Sequence, residues 1–123
     1  MRLALILLLV YQWSIAQGDI VQLMGIESSH LNKFEAHKLT PKTAAAFQAM
    51  QAAARLEGID IQLVSAYRSF ERQQYIWEDK FERYTAEGES PEKAIAQILK
   101  YSTLPGTSRH HWGTDIDLSL IHI

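Results

Sequence analysis

The stretch from Thr40 to Ser65, TPKTAAAFQAMQAAARLEGIDIQLVS, leaves the chain little choice of local structure. Thr40 can cap a helix, Pro41 sits in the first turn, where a missing N–H costs nothing, and Gly58 offers the left-handed residue on which a helix stops. Between these signals Ala44, Phe47, Met50 and Ala54 recur at spacings of three and four, so the spacing predicts a helix with an apolar stripe packed into a core. IDIQLVS then alternates, with Ile59, Ile61 and Leu63 on one side and Asp60 and Gln62 on the other, which is the period of a half-buried strand ending at Ser65.

The remaining elements follow from the same rules. A second helix is predicted from about Phe70 to Tyr84, with Trp77, Phe81 and Tyr84 on one face. A third begins at Ser90 and Pro91 and turns Ala94, Ile95, Ile98 and Leu99 inward, until Pro105 and Gly106 force a loop. TDIDL alternates again and places Asp115 and Asp117 on the same face of a closing strand. Residues 17 to 39 show no sustained period and read as an irregular lead-in. There is no internal repeat, and the order helix, strand, helix, helix, strand argues a small mixed α+β domain.

Composition narrows the function classes. With 123 residues the chain is long enough for one domain and too short for two. The N-terminus has the form of a secretory signal: Arg2, an unbroken apolar run from Leu3 to Val10, and Ser14 and Ala16 as small residues before a cut. Residues 1–16 are therefore expected to be a signal peptide, cleaved after Ala16. The run is too short to cross a bilayer of ~30 Å, and no cysteine follows it to take a lipid, so no stable membrane anchor is expected. An exported chain without cysteine suits a bacterial periplasm or cell wall better than a disulfide-stapled secreted module. Without Arg2, 11 basic residues face 14 acidic ones, which excludes the basic face that nucleic-acid binding needs.

Chemistry concentrates in SRHHWGTDID, Ser108 to Asp117. A histidine followed seven residues later by an aspartate, with a glycine between to turn the backbone, can bring an imidazole nitrogen and a carboxylate oxygen to one point. Nitrogen and oxygen donors suit a catalytic zinc, which takes three protein ligands and leaves the fourth position open. Two donors do not complete such a site. On spacing alone, exposed histidines beside a turn with a hydrogen-bonded aspartate remain the commoner use of these residues. Neighbouring side chains on a strand point to opposite faces, so His110 and His111 are not expected to bind together.

The same stretch resembles the S-x-H-x-x-G-x-x-x-D signature of the LAS-type zinc peptidases, the D-alanyl-D-alanine carboxypeptidases and dipeptidases that share a fold with lysostaphin-type enzymes and the hedgehog domain. Upstream, SAYRSFERQ is similar to that family's S-x-Y-R-S-x-x-x-Q segment. The resemblance runs from about residue 23 to Asp117 and implies an α+β domain with an antiparallel sheet, a Zn2+ cofactor and a peptidoglycan stem peptide ending in D-Ala-D-Ala as partner. By the same resemblance His110 and Asp117 are two zinc ligands, Arg68 stabilises an oxyanion, and Gln73 and Ser108 lie near the substrate. Ser65 and Tyr67 are expected to shape the strand end, and Asp115 to orient a histidine from behind the ligands. A monomer is expected.

The family closes its site with a later E-x-x-H segment, which supplies the third ligand and a glutamate base. Nothing after Asp117 matches it: His122 follows five residues on, and Ser119, not glutamate, stands three before it. Residues 17–117 are accordingly expected to be the N-terminal part of a carboxypeptidase-like domain. Leu118 to Ile123, LSLIHI, would translate CTG TCT CTT ATA CAC ATC, which resembles a transposon-end sequencing adapter, and is read as a non-native tail. Two function classes follow: a zinc carboxypeptidase or related cell-wall endopeptidase, inactive as this fragment, and a non-catalytic peptidoglycan- or zinc-binding relative of the same fold.

Overall fold

The computed structural model describes residues 19–122, so the signal-peptide reading lies outside the described residues. Strands β1 (Asn32–Phe34) and β2 (His37–Leu39) lead into helix α1 (Pro41–Leu56) and strand β3 (Ile59–Ser65). Helices α2 (Phe70–Ala86) and α3 (Pro91–Leu99) come next, then a 3-10 turn (Arg109–Trp112) and strand β4 (Asp117–His122). β1 pairs with β2, and β3 with β4, both antiparallel. The mixed α+β order is thus observed, with one addition: where an irregular lead-in was expected, residues 19–23 are helical and β1 and β2 form a hairpin.

Local chemistry explains the helix ends. The Thr40, Ser69 and Ser90 hydroxyls each accept from the backbone N–H three residues on, so α1, α2 and α3 each begin on a side-chain cap. The core is small: Leu31, Leu39, Phe47, Ile61, Ala66, Ala94 and Ile98 are buried. Phe34 from the hairpin meets Phe47 of α1 edge to face, with ring centroids 5.9 Å apart. Three expected core residues lie further out, since Met50 is 39% exposed, Ile95 41% and Leu99 52%. The 16-residue α1 packs on β3 of a two-stranded sheet and the 9-residue α3 on the single helix α2, too little neighbouring surface to cover a wide stripe, so only its centre is buried.

One glycine fixes how the hairpin meets the site. Gly113 ends the 3-10 turn at φ 68°, a side chain there would run into Leu31, and its carbonyl accepts from Thr40 N–H at 3.1 Å. β4 begins only at Asp117, because residues 114–116 are irregular after this turn. Asp115 is therefore not on the strand face predicted for it. Leu118 to His122, read from the sequence as a tail, pair with Leu63 back to Ile59.

Candidate active site

The site forms where β4 returns to β3. Antiparallel pairing sets Asp117 opposite Ser65, across a register shift at the strand end, and the chain leaving Ser65 reaches Arg68 within three residues. Arg68 Nη2 donates to Asp117 Oδ2 at 3.0 Å and lies 3.4 Å from Ser65 Oγ, while Nη1 donates to Gln73 Oε1 at 3.3 Å. The guanidinium is three-quarters covered, with 23% of its side chain exposed. Such a held planar cation can meet developing negative charge without reorganising.

His110 enters from the other side. Its Nδ1 lies 2.7 Å from the Ala66 carbonyl, which can only accept, so Nδ1 carries a proton and Nε2 faces the cleft. Nε2 is 3.5 Å from Asp117 Oδ2. The expected donor pair is therefore brought together, with Arg68 on the same carboxylate oxygen. Arg68 N–H also donates to the His110 carbonyl at 3.1 Å, which ties the two segments by backbone as well as side chain.

His111, the neighbour expected not to share a ligand role, is fully buried. Its Nδ1–H donates to the Arg68 carbonyl at 2.6 Å and its Nε2 accepts from Gly106 N–H at 3.0 Å, so both ring nitrogens are spent inside the protein. Gly25 packs against this ring so closely that any Cβ would overlap it. The Gly25 carbonyl accepts from Phe70 N–H and from the Tyr67 hydroxyl, and burial pushes the Tyr67 phenol up from its ordinary value.

The other expected residues divide. Ser108 is buried, lines the cleft and accepts from His110 N–H at 3.3 Å, so its hydroxyl also shapes the turn that carries the histidine. Gln73 lines the cleft but has both amide ends engaged, one by Arg68 and the other by the Thr103 carbonyl at 2.8 Å. Asp115 does not orient a histidine: it accepts from Arg109 Nη2 at 3.0 Å, because the irregular segment before β4 turns it toward the 3-10 turn. The cleft encloses about 320 Å³, and Tyr101, Thr103 and Arg109 complete its wall. Tyr101 and Thr103 carried no sequence signal, since they sit on a segment without period or motif, and Arg109 fell at an unspecified position of the motif stretch. Among the described residues no group of three His, Cys, Asp or Glu side chains converges, so the donor set for a metal stands at His110 and Asp117.

A helix-flanked antiparallel sheet with a His–Asp donor pair and an arginine on the same carboxylate at the edge of a cleft defines an α+β domain of the LAS peptidase type. Comparison makes the class specific. The family model described as VanY, D-alanyl-D-alanine carboxypeptidase, matches residues 36–123, and the chain belongs to this family. A D-alanyl-D-alanine carboxypeptidase of Enterococcus faecalis is 36% identical over 67 residues, which are 54% of this chain and 25% of that protein. An uncharacterized Haemophilus influenzae protein is 39% identical over 59 residues, covering 48% of this chain and 38% of its own length. The chain thus spans well under half of the curated relatives it matches.

Solved structures agree in fold. A variant of the vancomycin-resistance D,D-pentapeptidase VanY in complex with Zn(II) superposes with a TM-score of 0.69 at 28% identity, over 78% of this chain and 56% of that one. VanYB in complex with D-alanine-D-alanine gives 0.71 at 28% identity, over 79% and 55%. The LD-carboxypeptidase LdcB gives 0.59 at 26% identity, over 76% and 44%.

Proposed function

We propose that this chain belongs to a zinc-dependent D-alanyl-D-alanine carboxypeptidase acting on peptidoglycan stem peptides outside the cytoplasm. The observation that carries the reading is the convergence of His110 Nε2, Asp117 Oδ2 and Arg68 Nη2 on one cleft, with Oδ2 3.5 Å from the imidazole and 3.0 Å from the guanidinium. His110 and Asp117 would hold zinc, because an imidazole anchored through Nδ1, with Nε2 toward the cleft, and a carboxylate are suitable donors. Zinc, when bound, supplies Lewis acidity toward a scissile carbonyl. Arg68, held by Gln73 and Ser65, offers positive charge where an oxyanion would develop. The relatives support this substrate class, since one is a D-alanyl-D-alanine carboxypeptidase and another was solved with D-alanine-D-alanine.

A second reading, a non-catalytic peptidoglycan- or zinc-binding relative, draws on the incomplete donor set among the described residues. One experiment addresses both. Zinc is titrated into the purified 123-residue chain, bound metal is counted, the His110 and Asp117 resonances are followed, and D-alanine release from D-Ala-D-Ala peptide is measured. Zinc should move both resonances yet bind below one equivalent, with no release, because a catalytic zinc takes three protein ligands. Resonances that stay still would overturn the ligand assignment. Release blocked by a chelator would show that the chain completes the site and would remove the non-catalytic reading.

A further inference from the structure

The wall of the cleft opposite the strands is a loop, and one polar stripe of α2 grips it. Gln73, Trp77 and Lys80 follow one another at helical spacings of four and three, so they share a face. Gln73 Nε2 and the Trp77 indole N–H both donate to the Thr103 carbonyl, each at 2.8 Å. Lys80 Nζ donates to Ser102 Oγ at 2.6 Å. Three donors from one helix face thus meet two consecutive residues of the segment that follows α3.

That segment has little else to hold it. Tyr101 and Ser102 N–H bond back to Ile98, and the Thr107 N–H and hydroxyl both donate to the Leu104 carbonyl, but Tyr101 is 85% exposed and Leu104 49%. Yet Tyr101 and Thr103 face Arg68, His110 and Asp117 across the cleft. Gln73 bridges the wall and the chemistry, because its carbonyl oxygen takes Arg68 Nη1 while its amide nitrogen takes Thr103. A shift of Thr103 would therefore be felt at the guanidinium through a side chain that is 1% exposed and has no room to turn independently.

We propose that Trp77 and Lys80 are positioning residues which, with Gln73, hold the 101–104 segment at the width needed by a D-Ala-D-Ala terminus. Neither is placed to touch substrate. Trp77 acts through the Thr103 carbonyl and Lys80 through the Ser102 hydroxyl, and the indole N–H matters more than the indole ring. The proposal rests on the cleft being a dipeptide site, but the clamp itself has a readout that does not depend on binding.

The test uses the full chain labelled with 15N, with Trp77→Phe, Lys80→Met and the double variant, and with Phe47→Leu as a core-weakened control. Trp77→Phe keeps an aromatic ring in the hollow that Phe81 and Pro105 also line, and removes the donor. Amide exchange should rise selectively at residues 101–104 in Trp77→Phe, further in the double variant, and the Arg68 side-chain N–H signal should shift. The control should speed exchange across the molecule without that selectivity. D-Ala-D-Ala, titrated as the free dipeptide, should bind the Trp77→Phe chain about fivefold more weakly, the loss expected of one hydrogen bond of about 1 kcal/mol. Exchange at 101–104 equal to the parent, or raised only as in Phe47→Leu, would overturn the clamp. Selective loosening with unchanged dipeptide affinity would overturn its role in positioning. A parent chain that binds no dipeptide at millimolar concentration would instead count against the functional reading, and exchange would still decide whether the clamp exists.

Discussion

Adjacent histidines do different work here because a 3-10 turn sends their rings to different partners. His110 spends one nitrogen on Ala66 and keeps the other toward Asp117, with 16% of its side chain exposed. His111 spends both nitrogens and has no exposure. Removing the second ring leaves the Arg68 carbonyl and the Gly106 N–H unpaired in the interior and opens a void beside Gly25. His111→Ala should therefore cost about 3 kcal/mol and lower Tm by roughly 15 °C. His110→Ala loses one partly exposed hydrogen bond, about 1 kcal/mol, but should abolish the zinc-induced shift at Asp117. Thermal melts and zinc titrations of the two variants check this, and similar Tm losses from both would refute the division. From sequence the pair could be told apart only by motif, since nothing local says which imidazole a turn will bury.

At the scale of elements, α2 and α3 start with the same chemistry. Ser69 and Ser90 cap them, and Glu71 and Glu92 follow in the first turn. Bonds to the backbone N–H of Glu71, and then to Ser69, lower the Glu71 carboxyl from its ordinary value. Glu92 is lowered likewise, by its own backbone N–H and then by Ser90. A carboxyl whose folded value lies below its unfolded one adds stability that is fully present above the unfolded value, about 4.3, and is lost as pH falls through the folded value. Glu71→Gln/Glu92→Gln should hence lower Tm at pH 6 and flatten its fall below about pH 4.5, checked by melts across that range. An unaltered acid limb would exclude these caps from the pH dependence. Such caps were legible in part: Thr40, Pro41, Ser90 and Pro91 announce helix starts, and Ile59 to Ser65 announces its strand. The hairpin was not legible. Its strands are three residues each, and its turn puts Glu35 at φ 52°, where glycine or asparagine would have been the readable signal. The site was legible as residues but not as an arrangement, because Asp117 reaches Arg68 only through the β3–β4 register, a pairing across more than fifty positions that no local period encodes.

Across the whole molecule, the weakest feature is the sheet that brings the site together. β4 has one partner, β3, among the described residues, so its other edge presents unpaired backbone groups. Along and opposite that edge Leu120 is 64% exposed, Leu118 38% and Val64 58%, and no charged residue falls between Asp117 and His122. With a net charge of only -2, electrostatic repulsion does little to keep copies apart. This edge works against the monomer expected from sequence, and the chain should associate as its concentration rises through roughly the μM–mM range. Leu120→Lys adds a charge to the edge at a residue that is mostly exposed. It should suppress association while changing stability by about 0.5 kcal/mol or less, the usual range for a surface substitution. Sedimentation velocity over a concentration series, with urea melts of both forms, makes the comparison. Association of the lysine variant equal to the parent's would place the sticky surface elsewhere, and a large stability loss would show that Leu120 packs more deeply than its exposure implies.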